Sequence, residues 1–291
     1  MIFGEIESFV SLIERATKSF KKRDKKHQEL LSTRLVSVFE SHGVHRNQIP
    51  NVIGHGLTFH DVSCDKRLLE KLDNDILDST CSLFGINRDW LDGASEEVFS
   101  TYTFYKHPQK FNHFLSELVT KCGSENLDGV LLTVDKVDRE TESVLILQET
   151  LGLINNKPYF RYYLCSGWVF SYWRSRGYIA ASVAMCWKNK VYVRGLYLDA
   201  STVAHYASGK SLLNFGQDGV HFPNGVRWYA EDLAYVPDVY LKNVDPEENK
   251  FGLNAALSLW FQLNSKGFLD TGFMNNDVVL KRFNDAREKL A

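Results

Sequence analysis

The sequence predicts an α+β protein with two domains, an all-helical domain over residues 1–100 and a domain over residues 101–291 that combines a small sheet with flanking helices. The main observation is a change of period near residue 100. Apolar residues recur every three to four positions before it and alternate over several segments after it. The chain has 291 residues, 44% of them hydrophobic and 24% charged, a balance typical of a globular protein with a sizeable core.

Three helical segments are expected in the N-terminal domain. Apolar stripes begin at Ile6, at Leu31 and at Leu69, and each continues at intervals of three or four residues. Residues 15–34 hold eight basic and two acidic residues, a net charge of +6, whereas residues 51–100 hold four basic and ten acidic residues, a net charge of −6. The N-terminal domain is therefore strongly divided in charge.

Helices are also predicted at both ends of the second domain. Pro108 suits the first turn of a helix, Phe111 and the apolar residues after it follow helical spacing, and Gly123 marks the end. Asp245 and the Pro-Glu-Glu sequence after it form a helix-start signal. The chain is expected to close with two helices, whose buried stripes contain Trp260 and Phe283.

About five strands are predicted between these helices, and they are expected to pair mainly antiparallel. Each is rich in β-branched or aromatic residues. Asn155-Asn156 and Lys188-Asn189 lie between pairs of these segments, where they are expected to form hairpin turns. The predicted strands are residues 129–134, 143–148, 158–164, 178–184 and 190–198.

Glycine spacing in the N-terminal domain carries a family resemblance. Arg34 is followed nine residues later by Gly43, and a second segment runs from there to Gly54. Further on, the sequence FGINRDWL at residues 84–91 fits the pattern FGV-x-x-x-WL. These features resemble the helix-turn-helix domains of the lambda repressor and Cro type. The resemblance implies a helix-turn-helix-like N-terminal domain that binds double-stranded DNA.

The resemblance also implies which residues contact DNA. Side chains near the second helix would face the bases, and a lysine-rich arm would contact phosphates. An alternative is that the same helices form a degenerate bundle that binds a protein partner and no nucleic acid. The residues predicted to bind DNA are Lys21, Lys22, Arg23, Lys25, Lys26, Arg46, Asn47, Gln48, Thr58 and His60.

Aromatic residues are unusually dense in the second domain. Ten of them lie between Tyr159 and Trp187, interleaved with three arginines. Such a set can line a pocket for a flat or anionic ligand, or it can form a core and a dimer face. The predicted ligand-binding residues are Tyr162, Trp168, Trp173, Arg174 and Arg176.

No catalytic or cofactor motif supports an enzyme. Gly209-Lys210-Ser211 resembles the end of a phosphate-binding loop, but Ala204 stands where the first Gly of that loop belongs. The histidines and cysteines lack the spacings of common zinc sites, so neither a metal nor a cofactor is expected. An enzyme of a new kind would need a deep pocket with a titratable residue of shifted pKa. The candidates are Asp199, His205, His221, Glu231 and Asp232.

Several features indicate the compartment. The longest mostly apolar run has about ten residues, half of what a membrane-spanning helix needs. The first residues, MIFGEIES, carry carboxylates where a secretory signal carries Lys or Arg. The five cysteines form no CxxC pair, which favours free thiols. The sequence thus predicts a cytoplasmic, homodimeric transcriptional regulator whose C-terminal domain dimerises or senses a small-molecule effector.

Overall fold

The computed structural model describes residues 31–135, 142–222, 224–244 and 250–290, and these are built around one mixed sheet of six strands in the order β1-β4-β3-β2-β5-β6. In this sheet β2, β3 and β4 form an antiparallel meander, while β1 lies parallel to β4 and β5 parallel to β2. β6 pairs antiparallel with β5 at one edge. The strands are β1 (Thr101–Tyr102), β2 (Leu127–Thr133), β3 (Glu142–Ile154), β4 (Lys157–Val169), β5 (Val193–Tyr197) and β6 (Val226–Trp228).

One face of the sheet is covered by the N-terminal helices. Leu35, Phe39 and Ile49 from these helices belong to the same buried cluster as Val130 and Ile146 of the sheet. The helices and the sheet therefore share a hydrophobic core on this face. The helices are α1 (residues 31–41), α2 (Ile49–Ile53), α3 (Asp65–Lys71), α4 (Asn74–Phe84) and α5 (Arg88–Asp92).

The opposite face is covered by helices from the rest of the chain, so the described molecule has three layers. Trp168 and Leu145 of the sheet are buried there with Ile179, Trp260 and Phe283. The rings of Trp260 and Phe283 stack with their centroids 3.6 Å apart. These helices are α6 (Pro108–Cys122), α7 (Trp173–Lys188), α9 (Asp232–Tyr235), α10 (Pro237–Leu241), α11 (Lys250–Ser265) and α12 (Asn276–Leu290), whereas α8 (Ala200–Ala207) packs on the first face.

The structure confirms the expected α+β character and corrects one predicted strand. Residues 178–184 lie inside α7, and Lys188 and Asn189 end that helix instead of turning a hairpin. The other four predicted strands correspond to β2, β3, β4 and β5. Asn155 and Asn156 do turn β3 into β4, with left-handed φ angles of 51° and 62°. β1 and β5 pair in parallel, so the sheet is mixed, and its other three pairings are antiparallel, which agrees with the mainly antiparallel pairing that the sequence predicts.

The helix-turn-helix resemblance stays a prediction. α1 ends just before Gly43 and α2 ends at Gly54, as the glycine spacing predicts. After Gly54 the backbone forms turns and one short 3-10 helix, Asp61–Ser63, before α3 begins at Asp65. The division into two domains also stays a prediction.

Some predicted features lie outside the described residues. These are the first helical stripe around Ile6, the basic arm and the helix start at Asp245. Among the residues that are described, no helix combines the length and the apolar character needed to cross a membrane.

Candidate ligand-binding site

A pocket of about 530 Å³ lies where β6 separates from β5. β6 pairs with β5 up to the Gly195–Trp228 pair, and the pocket lies beyond it, beside Val193 and Arg194. This volume is in the range of sites that bind small organic molecules. The β5–β6 pocket is lined by Asp128, Gly129, Trp187, Tyr192, Val193, Arg194, Arg227, Trp228, Tyr229 and Glu231.

A glycine in β5 lets an aromatic ring form one wall of the pocket. A Cβ atom on Gly195 would lie 2.3 Å from the Trp228 ring, so only glycine lets the indole lie against the strand. The Trp228 ring also stacks on Tyr197, with centroids 5.2 Å apart and planes at 16°. These contacts fix the position of the indole at the pocket wall.

Two arginines bring positive charge to the pocket. Val130 of β2 is paired with Arg194, and Leu196 of β5 is paired with Arg227, so the strand register puts both arginines on one face of the sheet. Arg194 donates one hydrogen bond to the carbonyl of Val220, at 2.8 Å. Within the described chain, the Arg227 guanidinium has no hydrogen-bond or ion-pair partner from another residue. The two guanidinium groups therefore keep donors available for an anion.

Two carboxyl groups lie in the same pocket. Asp128 accepts a hydrogen bond from Gln148 Nε2 at 3.3 Å, and burial raises the pKa of its carboxyl while Arg194 opposes the rise. Glu231 is only 8% exposed. Burial raises the pKa of its carboxyl, and the negative charge of the neighbouring Asp232 raises it further. No cationic side chain of the described residues forms an ion pair with Glu231. Both carboxyl groups can accept hydrogen bonds from a ligand, and either group can also donate a hydrogen bond when it is protonated.

Aromatic side chains surround these polar groups. Tyr192 and Tyr229 are 61% and 73% exposed, unusually high for large aromatic residues. Trp187 packs edge-on against Tyr192, with centroids 5.0 Å apart. The indole nitrogens of Trp187 and Trp228 are shielded from solvent and have no hydrogen-bond partner among the described residues. Such a pocket can stack a flat ring and bind an anionic group beside it.

The structure disperses the five residues predicted to bind a ligand. Tyr162 and Trp168 are buried on opposite faces of the sheet, where they form part of the two hydrophobic clusters. Arg176 is fully buried and binds backbone carbonyls. Trp173 and Arg174 alone lie together, at the start of α7, with the guanidinium 4.7 Å from the ring centroid. The aromatic-rich segment thus contributes mostly to the core, and its last member, Trp187, reaches the β5–β6 pocket.

Most residues of the β5–β6 pocket carry no local sequence signal. Asp128, Arg194 and Arg227 come from three strands that are distant in sequence, and only the pairing of β2, β5 and β6 brings them together. Glu231, one of the titratable candidates for a new kind of enzyme, does line the pocket. Arg194 and Arg227 interrupt apolar strands, and a charged residue in an apolar strand is the one sequence feature that points to a binding site here.

The described residues of the predicted DNA-binding set lie on either side of α2, in a 3-10 helix (Arg46–Gln48) before it and in the turns after it. Arg46 forms an ion pair with Asp65 at 2.6 Å and donates to the Val62 carbonyl. Gln48 and Thr58 also make local hydrogen bonds. Asn47, Thr58 and His60 are exposed. The five basic residues at positions 21, 22, 23, 25 and 26 lie outside the described residues.

The described residues contain no cluster of three or more His, Cys, Asp or Glu side chains that could hold a metal ion. No family model, curated protein sequence or solved structure matches this chain.

Proposed function

We propose that this chain is a small-molecule-binding protein whose β5–β6 pocket takes a flat ligand with a negative charge. One observation carries the proposal. Two arginines, two carboxyls and four aromatic side chains converge on a single pocket of about 530 Å³. Isolated arginines and tyrosines are common on protein surfaces, but their convergence with buried carboxyls in one cavity is typical of binding sites.

The ligand's negative charge follows from the free guanidinium groups. Arg227 has no partner within the described chain, and Arg194 uses one donor on a backbone carbonyl. A guanidinium fork binds a carboxylate or phosphate through two parallel hydrogen bonds. The flat shape follows from Tyr192 and Tyr229, whose exposed rings offer stacking surfaces.

Binding to a panel of planar anions tests the proposal, with quenching of Trp187 and Trp228 fluorescence as the readout. Aromatic carboxylates and nucleotides form the panel. For any ligand that binds, Arg227→Gln should weaken the affinity by about tenfold or more, as expected for a charge-assisted hydrogen bond. Arg282→Gln on the exposed side of α12 is the matched control and should leave affinity unchanged. The proposal fails if no member of the panel binds, or if Arg227→Gln binds as well as the unaltered protein.

A second candidate function is a DNA-binding transcriptional regulator that acts as a homodimer, with the β5–β6 pocket as its sensor. It is favoured by the exposed polar side chains Asn47, Thr58 and His60, and by Lys66 and Arg67, which are exposed on the adjacent α3. The alternative that these helices bind a protein partner predicts no affinity for nucleic acid.

Duplex binding at about 50 and about 200 mM salt separates these alternatives, since phosphate contacts weaken steeply over this range. The full chain is incubated with a pool of genomic duplex fragments. Replacing Lys21, Lys22, Arg23, Lys25 and Lys26 with Ala should reduce the salt dependence of binding. If the full chain retains no duplex at about 50 mM salt, the regulator hypothesis is rejected.

A further inference from the structure

We infer that the β5–β6 pocket binds a nucleoside monophosphate unit, either as a free nucleotide or as the phosphorylated end of a nucleic acid strand. This inference rests on the proposed ligand-binding function and names the ligand class. It follows from three features of the pocket: the side on which its arginines lie, the exposure of its tyrosines and the absence, among the described residues, of an ion pair at the buried carboxyl of Glu231.

The arginines lie on the same face of the sheet and are suited to one doubly charged group. The register places Arg194 and Arg227 two residues apart across the β5–β6 pair, on the same side. An anion bound on this face is attracted by both guanidinium groups. A phosphate monoester has about two negative charges and three acceptor oxygens, whereas a carboxylate has one charge and two oxygens. The arrangement therefore favours a phosphate.

The tyrosines provide a surface on which a base can stack. Tyr229 is 73% exposed and makes no ring contact with another aromatic residue of the described chain. Tyr192 is 61% exposed and contacts only the edge of Trp187. The exposure of two large rings to water beside the two arginines is unfavourable, and stacking a base on the rings would remove their apolar surface from water.

The carboxyl groups of Asp128 and Glu231 favour a ligand that also donates hydrogen bonds. Glu231 is buried and forms no ion pair with a cationic side chain of the described chain, and Asp128 has one long hydrogen bond from Gln148. Ribose hydroxyls and the amino groups of bases are donors of this kind. A simple aromatic carboxylate has no such donors, and it would add no hydrogen bond to either carboxyl. A nucleotide combines a flat base, several donors and a phosphate, and it therefore matches all three features.

Titration calorimetry with the full chain tests the inference. The probes are the four nucleoside monophosphates, the matching nucleosides, ribose 5-phosphate, and a hexanucleotide with and without a 5′-phosphate. At least one monophosphate should bind about tenfold more tightly than both its nucleoside and ribose 5-phosphate. Tighter binding of the phosphorylated hexanucleotide than of any monophosphate would identify a strand end as the source, and the reverse order would identify a free nucleotide.

Variants tie the affinity to the three features. Arg227→Gln should weaken monophosphate binding by about tenfold but nucleoside binding by less than about twofold. Tyr229→Ala should weaken both by about tenfold, whereas Tyr229→Phe, which keeps the ring, should weaken them far less. Arg282→Gln is again the control on the outer side of α12.

Two results would overturn the inference in distinguishable ways. If an aromatic carboxylate or a zwitterionic amino acid binds through Arg227 more tightly than every nucleotide, the pocket binds ligands but not nucleotides, and only the inferred ligand class is wrong. If no probe and no planar anion binds at all, both the ligand class and the proposed function are wrong.

Discussion

Arg176 is held in the interior by backbone carbonyls rather than by a carboxylate. It is fully buried, its Nε donates to Phe170 O at 2.9 Å, and its Nη1 donates to Tyr240 O and Lys242 O at 2.8 and 3.0 Å. Burial lowers the pKa of the guanidinium to about 10, so it stays charged at neutral pH. The side chain thereby joins the start of α7 to α10 and the turn after it.

Replacing this side chain should be costly. Arg176→Met removes the donor from three carbonyls, two of them buried, and we expect the free energy of unfolding to fall by about 3 kcal/mol. Urea unfolding measures the change. Arg174→Met, two residues away on a partly exposed guanidinium, is the matched control and should change stability by less than about 0.5 kcal/mol. Equal urea midpoints for Arg176→Met and the unaltered chain would contradict this account.

His42 is a buried histidine that is kept neutral. Its Nδ1 lies 2.7 Å from Val38 O, and its ring lies 4.5 Å from the Phe84 ring and 5.2 Å from the Tyr162 ring. Burial lowers its pKa from the usual 6.5 to about 4. Because the folded pKa is below the unfolded one, the unfolded chain binds more protons between these values. The stability that His42 contributes is therefore complete above about pH 6.5 and is lost as the pH falls toward 4.

The expected loss from His42 at pH 4 is about 3 kcal/mol relative to pH 7. Urea unfolding at both pH values, with the unaltered chain and with His42→Leu, measures it. The variant should lose about 3 kcal/mol less stability between pH 7 and pH 4 than the unaltered chain loses. His113→Gln, on an exposed face of α6, is the control and should behave like the unaltered chain. The same pH dependence in all three proteins would rule out this role for His42.

The sequence singles out Arg176 but does not reveal the groups that it binds. The sequence predicts a ligand pocket for Arg176 because it lies among aromatic residues, whereas the structure shows that it binds the Phe170 carbonyl and two carbonyls of a segment more than sixty residues later. The apolar stripe that begins at Leu31 correctly predicts a buried helix face, to which Leu35 and Phe39 of α1 belong. Distant carbonyls leave no trace in the sequence near the side chain they bind, so only the fold reveals them.

The sequence predicts a strand within α7, because this helix is apolar on nearly every side. It packs against β4 and β5 on one side and against α11 on another, and residues 179–186 are all buried. A helix buried all round has no polar face, so its sequence loses the helical period, and its aromatic and β-branched residues favour a strand assignment. In contrast, α6 has one solvent face and was predicted with its correct ends.

Gly177 allows α7 and α11 to approach closely. A Cβ atom there would lie 2.5 Å from Leu259 Cδ2 of α11. Gly177→Ala should therefore lower the free energy of unfolding by about 1 to 2 kcal/mol, although alanine favours a helix by about 1 kcal/mol in the absence of a clash. Thermal or urea unfolding measures this change.

A double substitution locates the clash. In the Leu259→Ala background the alanine at position 177 has room, so Gly177→Ala should become neutral or stabilising. A Gly177→Ala variant that is more stable than the unaltered chain in the presence of Leu259 would show that the helices separate without cost.

For the whole molecule, the three layers make the sheet depend on helices from both parts of the chain. Val130, Ile146 and Leu164 belong to the buried cluster that the sheet shares with the N-terminal helices and α8. The antiparallel meander was predictable from local turns such as Asn155-Asn156. The parallel pairing of β1 with β4 and of β5 with β2 could not be predicted in this way, because parallel strands are joined by long connections that no local pattern specifies.

Removal of residues 1–100 tests the predicted division into domains. The fragment 101–291 keeps α8 but would expose the part of the sheet that the N-terminal helices cover, including Leu164 of β4, so we expect it to aggregate or to bind a hydrophobic dye. Size-exclusion chromatography and near-ultraviolet circular dichroism of the fragment and the full chain measure this. A monomeric fragment that unfolds cooperatively would instead establish two independent domains.

The long strand β4 is shielded along its outer edge. β1 pairs there with Leu164 and Cys165 only, but the Phe160 N–H donates to His42 O at 2.9 Å, and a Cβ atom on Gly43 would come within 2.9 Å of Pro158 O. The loop after α1 thus occupies backbone groups that another chain would otherwise pair with. Fibril growth by strand addition is hindered at this edge, so copies of the chain that associate there must recognise one another through side chains.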